Sequence, residues 1–168
     1  MIKILALDTS TTATGWAIFN NEHYKKSGCI NLKTSNKTPK ERIAMMCKSV
    51  LDLLNEENPD IVVVEKLSVE RNFKTVVALC RVLDVCYVYS LMNDSNFYEM
   101  SPSEWRKLLG MQISKGQRIA YKQMGKDFVA NEFVDKEMTN DESDAICLGA
   151  AFINDYIAPG KYHYEAKE

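Results

Sequence analysis

Residues 61–65 read Ile61-Val62-Val63-Val64-Glu65, four β-branched residues closed by a carboxylate. A run that is apolar at every position, rather than every second one, is a strand covered on both faces. It therefore belongs in the interior of a sheet that carries helices on each side. The flanking sequence agrees. Upstream, Thr38-Pro39-Lys40-Glu41 is a capping box with proline at the first helical position. The helix it opens carries Ile43, Met46, Cys47, Val50, Leu51 and Leu54 at helical spacing and should stop near Asn58-Pro59. Further back, Ile2–Leu7 is apolar apart from Lys3 and ends in Asp8; Thr14–Asn20 and Tyr24–Leu32 follow across short turns, as an antiparallel meander requires. Downstream, a long apolar helix from about Arg71 to Leu91 leads to a fifth strand, Asn96–Met100. Right-handed crossovers make the fourth and fifth strands parallel to the first. The expected fold is α/β, a five-stranded mixed sheet in the order 3-2-1-4-5 with helices on both faces. Three more helix starts follow it: Ser101-Pro102-Ser103-Glu104, Ser114-Lys115-Gly116-Gln117 and Thr139-Asn140-Asp141-Glu142. The last opens a helix through Ala145, Leu148, Phe152 and Tyr156.

With 168 residues and a hydrophobic fraction of 46%, the chain suits one domain, 1–168, built on one sheet. Only 7 glycines and 4 prolines argue against linkers. Apolar runs such as Ala145–Ile153 are shorter than a bilayer requires, so no membrane association is expected. Asp8 interrupts the N-terminal apolar segment too soon for a secretory signal, which makes a cytoplasmic protein the expectation. Cys29, Cys47, Cys80, Cys86 and Cys147 are odd in number and form no C-x-x-C pair. They read as buried apolar residues in a reducing compartment, not as a zinc ribbon or disulfide framework. His23 and His163 are too far apart in sequence to suggest imidazole-based metal or triad chemistry.

The net charge of −2 argues against a generic polyanion binder, but its distribution is uneven. Residues 101–126 hold six basic and one acidic side chain; residues 127–144 hold seven acidic and one basic. Two covered strands end in an acid, Asp8 and Glu65. As parallel neighbours they would emerge at the carboxyl edge, where open α/β sheets bind ligands. Asp141 and Asp144, three apart at a capped helix start, face one way. Singly, each has an ordinary use: Asp8 could cap a turn, Glu65 could be a surface acid, and the two aspartates could favour a helix N-terminus. Together, four hard oxygen donors without His or Cys point to Mg²⁺, with Mn²⁺ as a substitute. Two such ions, about 3.5–4 Å apart, would activate a water and stabilise the leaving oxygen of a phosphodiester. Lys115, Arg118, Lys122 and Lys126 recur at spacings of 3, 4 and 4, and Arg106 and Lys107 precede them. Such a stripe either solvates a helix or tracks a phosphate backbone. Trp105, Tyr121 and Phe128 could stack on bases, although core packing is the commoner use of each.

From the Leu5-Ala6-Leu7-Asp8 strand to Asp141-Glu142-Ser143-Asp144-Ala145, the chain resembles RuvC-type Holliday-junction resolvases of the divergent kind found in bacteriophages. Glu65 is followed at family spacing by Asn72, Thr75 and Leu79, the segment Tyr98–Lys107 resembles the family's strand-to-helix passage, and Lys115-Gly116-Gln117 matches its Lys-x-Gln. The resemblance implies an RNase H-like fold, an obligate homodimer, and Mg²⁺-dependent cutting of four-way or otherwise branched DNA, with no small-molecule substrate. It assigns Asp8, Glu65, Asp141 and Asp144 as metal ligands and catalytic residues. It also makes Lys107 and Lys115 contacts to DNA, to which the basic pattern adds Arg106, Arg118 and Lys122. Two positions depart from the family: Ser68 stands where bacterial members carry an aromatic that helps open the junction, and Arg81-Val82-Leu83-Asp84 replaces helix glycines.

Other readings share parts of this pattern. The opening Ile4–Thr11 also resembles TsaB-like proteins, non-catalytic partners in tRNA modification, which need neither the acid at 65 nor a terminal D-x-x-D. RuvX-like RNA-processing nucleases keep the acids but are shorter and lack the apolar helix at 71–91. DEDD exonucleases want D-x-E on the first strand, where Ser10 stands here. That helix carries Val76, Val77, Leu79, Cys80, Val82, Leu83, Val85, Cys86 and Val88. This is more apolar surface than one sheet face needs, and it marks the helix as the expected dimer element, with Val77 and Leu83 as test positions. A fully buried core helix in a monomer is the competing explanation.

Overall fold

The computed structural model describes residues 1–34, 36–67, 72–111, 118–134 and 136–165, with Arg118 described by its backbone alone. Five strands, β1 (Lys3–Asp8), β2 (Ala13–Asn20), β3 (His23–Asn31), β4 (Ile61–Glu65) and β5 (Asn96–Met100), form one sheet in the order β3-β2-β1-β4-β5. β1, β2 and β3 pair antiparallel, while β4 runs parallel to β1 and β5 parallel to β4. The expected topology is thus observed.

Alternation along the strands divides the core in two. Ile4, Ala6, Ile61 and Val63 point to the side covered by α5 (Asn140–Phe152), α3 (Pro102–Leu108) and α4 (Arg118–Glu132). Leu5, Leu7, Val62 and Val64 point to the side covered by α1 (Pro39–Glu57) and α2 (Phe73–Met92). This is why residues 61–64 are apolar throughout. Both capping boxes that start with Ser/Thr-Pro form as expected: Thr38 with Glu41 opens α1, and Ser101 with Glu104 opens α3. The start expected at Ser114–Gln117 lies outside the described residues. The run Ala145–Ile153 is buried throughout and continues as a π-helical turn, Ile153–Ile157, where a single helix through Tyr156 was expected. All five cysteines are free thiols, but only Cys86 and Cys147 are buried; Cys29, Cys47 and Cys80 are half-buried, where burial of all five was expected.

Helix α2 differs from expectation in three ways. It starts at Phe73 rather than near Arg71, because the Asn72 side chain caps it, accepting from the Thr75 amide at 2.9 Å. The Asn72 and Thr75 pair, noted above for its family spacing, therefore has a helix-capping role. By length and composition α2 could cross a membrane, with a mean hydropathy of 1.6, although no such run was expected. Here it covers one sheet face instead: Val82, Leu83, Cys86 and Tyr89 are buried against α1 and the sheet, and Leu79 is buried as well. Leu83 is thus a core residue, not an interface position. The face that stays exposed carries Phe73, Val77, Tyr87, Val88 (49%), Leu91 (65%) and Met92 (78%).

Candidate active site

Leu7 of β1 lies opposite Val64 of β4 in parallel register, so the next residues, Asp8 and Glu65, leave the sheet side by side at its carboxyl edge. Asp8 lies opposite Gly15 of β2. At that point α5 descends onto the sheet so closely that a Cβ on Gly15 would stand 1.8 Å from the Asp141 carbonyl oxygen. Only glycine permits this approach, and it sets the first turn of α5, with Asp141 and Asp144, over the edge that carries Asp8 and Glu65. The Thr139 hydroxyl caps α5 by accepting from the Glu142 amide at 3.1 Å. The return half of the expected capping box is absent, because stronger partners take the Glu142 carboxylate. Ser27 donates to it at 2.6 Å and the Lys136 ammonium at 2.7 Å. Glu142 therefore fastens α5 to β3, and its neighbour Asp141 faces Lys33, whose Nζ lies 3.4 Å from Oδ2.

Burial pushes the Asp144 carboxyl up to about 6, and the charges of Glu65 and Asp141 push the same way against Arg106 and Lys122. Three of the four candidate acids thus act on one another. Among the described residues, no three acids, histidines or cysteines converge closely enough to hold a metal ion as placed. The donor chemistry nevertheless fits a hard divalent cation, since an added positive charge is what this field lacks. The folded-state value lies above the unfolded one of 3.8, so the native state binds this proton more tightly. Metal-free stability should therefore fall as pH rises from about 4 through about 6. Asp144→Asn should raise the metal-free melting temperature at pH 8 by about 5 °C, from roughly 2 kcal/mol of relieved repulsion and desolvation, and leave it unchanged at pH 4. Equal melting curves at pH 8 would show that the carboxylate is not strained.

α4 crosses α5 at Gly125, where an added Cβ would lie 3.4 Å from the Ser143 hydroxyl and 3.7 Å from Asp144 Oδ1. Lys122, one turn earlier, is thereby close enough for its charge to act on Asp144. Arg106 joins it, its guanidinium carbon 4.5 Å from the centre of the Trp105 ring and 4.7 Å from that of Tyr121. Lys107 does not join them. It is exposed, and it lines a separate cavity with Glu99, Glu104, Asp155 and Tyr156, because successive helical residues diverge by about 100°. Lys115 lies outside the described residues, and the Arg118 side chain is not described. Trp105 and Phe128 are core residues, each 1% exposed, as their commoner use predicts. What sequence reasoning missed is the outer end of Trp105: its indole Nε1 donates to Glu65 Oε2 at 3.0 Å.

A family profile described as crossover junction endodeoxyribonuclease RuvC matches residues 4–151. The chain belongs to the RuvC family. Among curated RuvC proteins, that of Carboxydothermus hydrogenoformans is 28% identical over 114 residues, 64% of this chain and 70% of its own length. The RuvC of Protochlamydia amoebophila is 29% identical over 107 residues, 61% of this chain and 63% of its own. Among solved structures, Thermus thermophilus RuvC in complex with a Holliday junction substrate covers 95% of this chain and 98% of its own at a TM-score of 0.69 and 13% identity. The fowlpox virus Holliday junction resolvase gives 0.64 at 14% identity, covering 92% and 99%. At these identities the two structures speak for the RuvC fold alone. The profile match, which runs from the first strand through α5, sets aside the TsaB-like and RuvX-like readings.

Proposed function

We propose that this protein is a RuvC-type crossover junction endodeoxyribonuclease that binds four-way DNA junctions as a homodimer and hydrolyses one phosphodiester per subunit. The observation that carries the chemistry is the meeting of two strand-end acids with the first turn of α5. Asp8, Glu65, Asp141 and Asp144 would hold two Mg²⁺ or Mn²⁺ ions. When bound, such ions supply a nucleophilic water and stabilise the leaving oxygen. The chain's own part is to fix the acids on a sheet edge and a capped helix, with Arg106 and Lys122 at the flank as counter-charges for a phosphate. A cytoplasmic setting goes with a DNA substrate. Incubation of a labelled four-way junction with the protein and Mg²⁺ tests the reading: symmetric paired incisions are expected. A junction that stays bound but uncut with either ion would refute it.

The dimer is supported by the outer face of α2. Val77, Val88, Leu91 and Met92 form an apolar strip beside a groove between α1 and α2 that Arg81 and Asp84 also line. A basic and an acidic residue three apart on one strip can pair across a two-fold axis, each with the other's copy.

The basic flank makes a separate prediction. Lys122→Ala should weaken junction binding and reduce the slope of log affinity against log salt by about one unit, the value for one lost phosphate contact. Lys115→Ala and Arg118→Ala test the rest of the stripe in the same way. Filter binding between low and moderate salt measures the slopes, and unchanged slopes would leave these side chains as solvating residues only.

A further inference from the structure

We propose that Trp105 is a positioning residue for Glu65, its indole N–H holding one carboxylate oxygen so that the acid faces the divalent ion. The inference rests on the metal-site reading above. α3 begins directly after β5, whose Met100 lies opposite Glu65 in the sheet. The Lys66 amide donates to the Met100 carbonyl at 2.9 Å, so β4 and β5 are still joined where α3 departs. One turn into α3, Trp105 turns its ring back under the end of β4, where it is 1% exposed. A buried indole N–H needs an acceptor, and a donor-only group cannot be satisfied by its apolar neighbours. The acceptor here is the Glu65 carboxylate oxygen Oε2 at 3.0 Å.

The chemistry of that donor matters. A lysine or arginine at the same place would fix Glu65 but cancel its charge, and so compete with a cation. A neutral N–H restrains the carboxylate and brings no competing charge. Groups of this kind behind a metal ligand set its orientation, and their loss typically weakens metal affinity or activity by about 10–100-fold. The same ring also lies against Arg106, whose guanidinium is in similar contact with Tyr121. Trp105 thus serves an acid of the site on its edge and a flanking cation on its face.

Trp105→Phe keeps a flat apolar ring and removes the donor; benzothienylalanine at position 105 keeps the indole shape and replaces N–H by sulfur. Calorimetric titration with Mn²⁺ alone, without DNA, is the primary readout, with Glu65→Gln as control. The benzothienyl protein should melt near the unmodified protein and the Trp105→Phe protein lower, because it leaves a cavity in the core; both should bind Mn²⁺ about 10-fold more weakly or worse and need correspondingly more metal to cut a junction. If the unmodified protein binds Mn²⁺ and the benzothienyl protein binds it equally well, the positioning role is wrong while the metal site stands. If the unmodified protein binds no Mn²⁺ and cuts nothing, both readings fall.

Discussion

Asp8→Asn, Glu65→Gln and Asp144→Asn should each lower junction cleavage by ~10³-fold or more, since a Lewis-acid ion contributes several kcal/mol and each 1.36 kcal/mol is tenfold in rate. Junction binding should hold or tighten, because a lost carboxylate removes a charge that repels phosphate. Asp144 is the most telling position: it is the acid already raised toward protonation by burial, Glu65 and Asp141. The unmodified protein should also gain thermal stability with Mg²⁺, by ~2.7 kcal/mol at a hundredfold excess over the dissociation constant, through binding to the folded state. The amide variants should gain less. Single-turnover cleavage, anisotropy with labelled junction and melting curves give the three readouts. Parallel loss of binding and cleavage in a folded variant would count against a catalytic role for the acids.

Val77→Glu and Val88→Glu should convert dimers to folded monomers. Both side chains lie on the exposed face of α2, at 37% and 49% exposure, so a charge there leaves the core of the protomer intact. In a dimer the same charge would be buried without a partner, which removes several kcal/mol from an association of ordinary size. A four-way junction has two-fold symmetry and needs two opposed cuts, so the monomers should nick junctions slowly and lose concerted cleavage. Light scattering of each variant, with and without junction, measures the first effect, and a cruciform plasmid that distinguishes nicked from linear product measures the second. An unmodified protein that remains monomeric at micromolar concentration with junction bound would exclude paired cutting by a dimer. Leu83, which the sequence suggested equally, is unsuitable: it is 7% exposed, and a charge there would test folding.

That contrast shows where sequence reading reaches its limit. The sheet order was legible because its signals are local: apolar runs at 2–7 and 61–64, a short-turn meander, and handed crossovers. Asp8 and Glu65 were legible for the same reason, each being the residue at which an apolar run stops. On α2 nearly every position is apolar, so periodicity could not tell Leu83, turned inward, from Val88, turned outward. On α3 the choice between Arg106 and Lys107 depends on how the helix is rotated about its axis, which Trp105 decides by burying itself. The bond from Trp105 to Glu65 spans 40 residues of chain and has no local signature. Glu142 misled in the opposite direction: its spacing from Thr139 is that of a capping box, but Ser27 and Lys136, distant or looped back, outcompete the local amide.

The close seating of α5 on β2 has a consequence for how the site tolerates change elsewhere. Close contact is made at two glycines: Gly15 of β2 beneath the Asp141 carbonyl, and Gly149 of α5 against the Phe19 ring of β2, 2.3 Å from where a Cβ would sit. Two fulcra eight residues apart leave the helix no freedom to rock. Bulk added at Gly149 would push that end of α5 away from the Phe19 ring and change the angle at which the helix meets the sheet. The seating of the helix turn that carries Asp141 and Asp144 thus depends in part on a glycine buried in the core, two turns away from them.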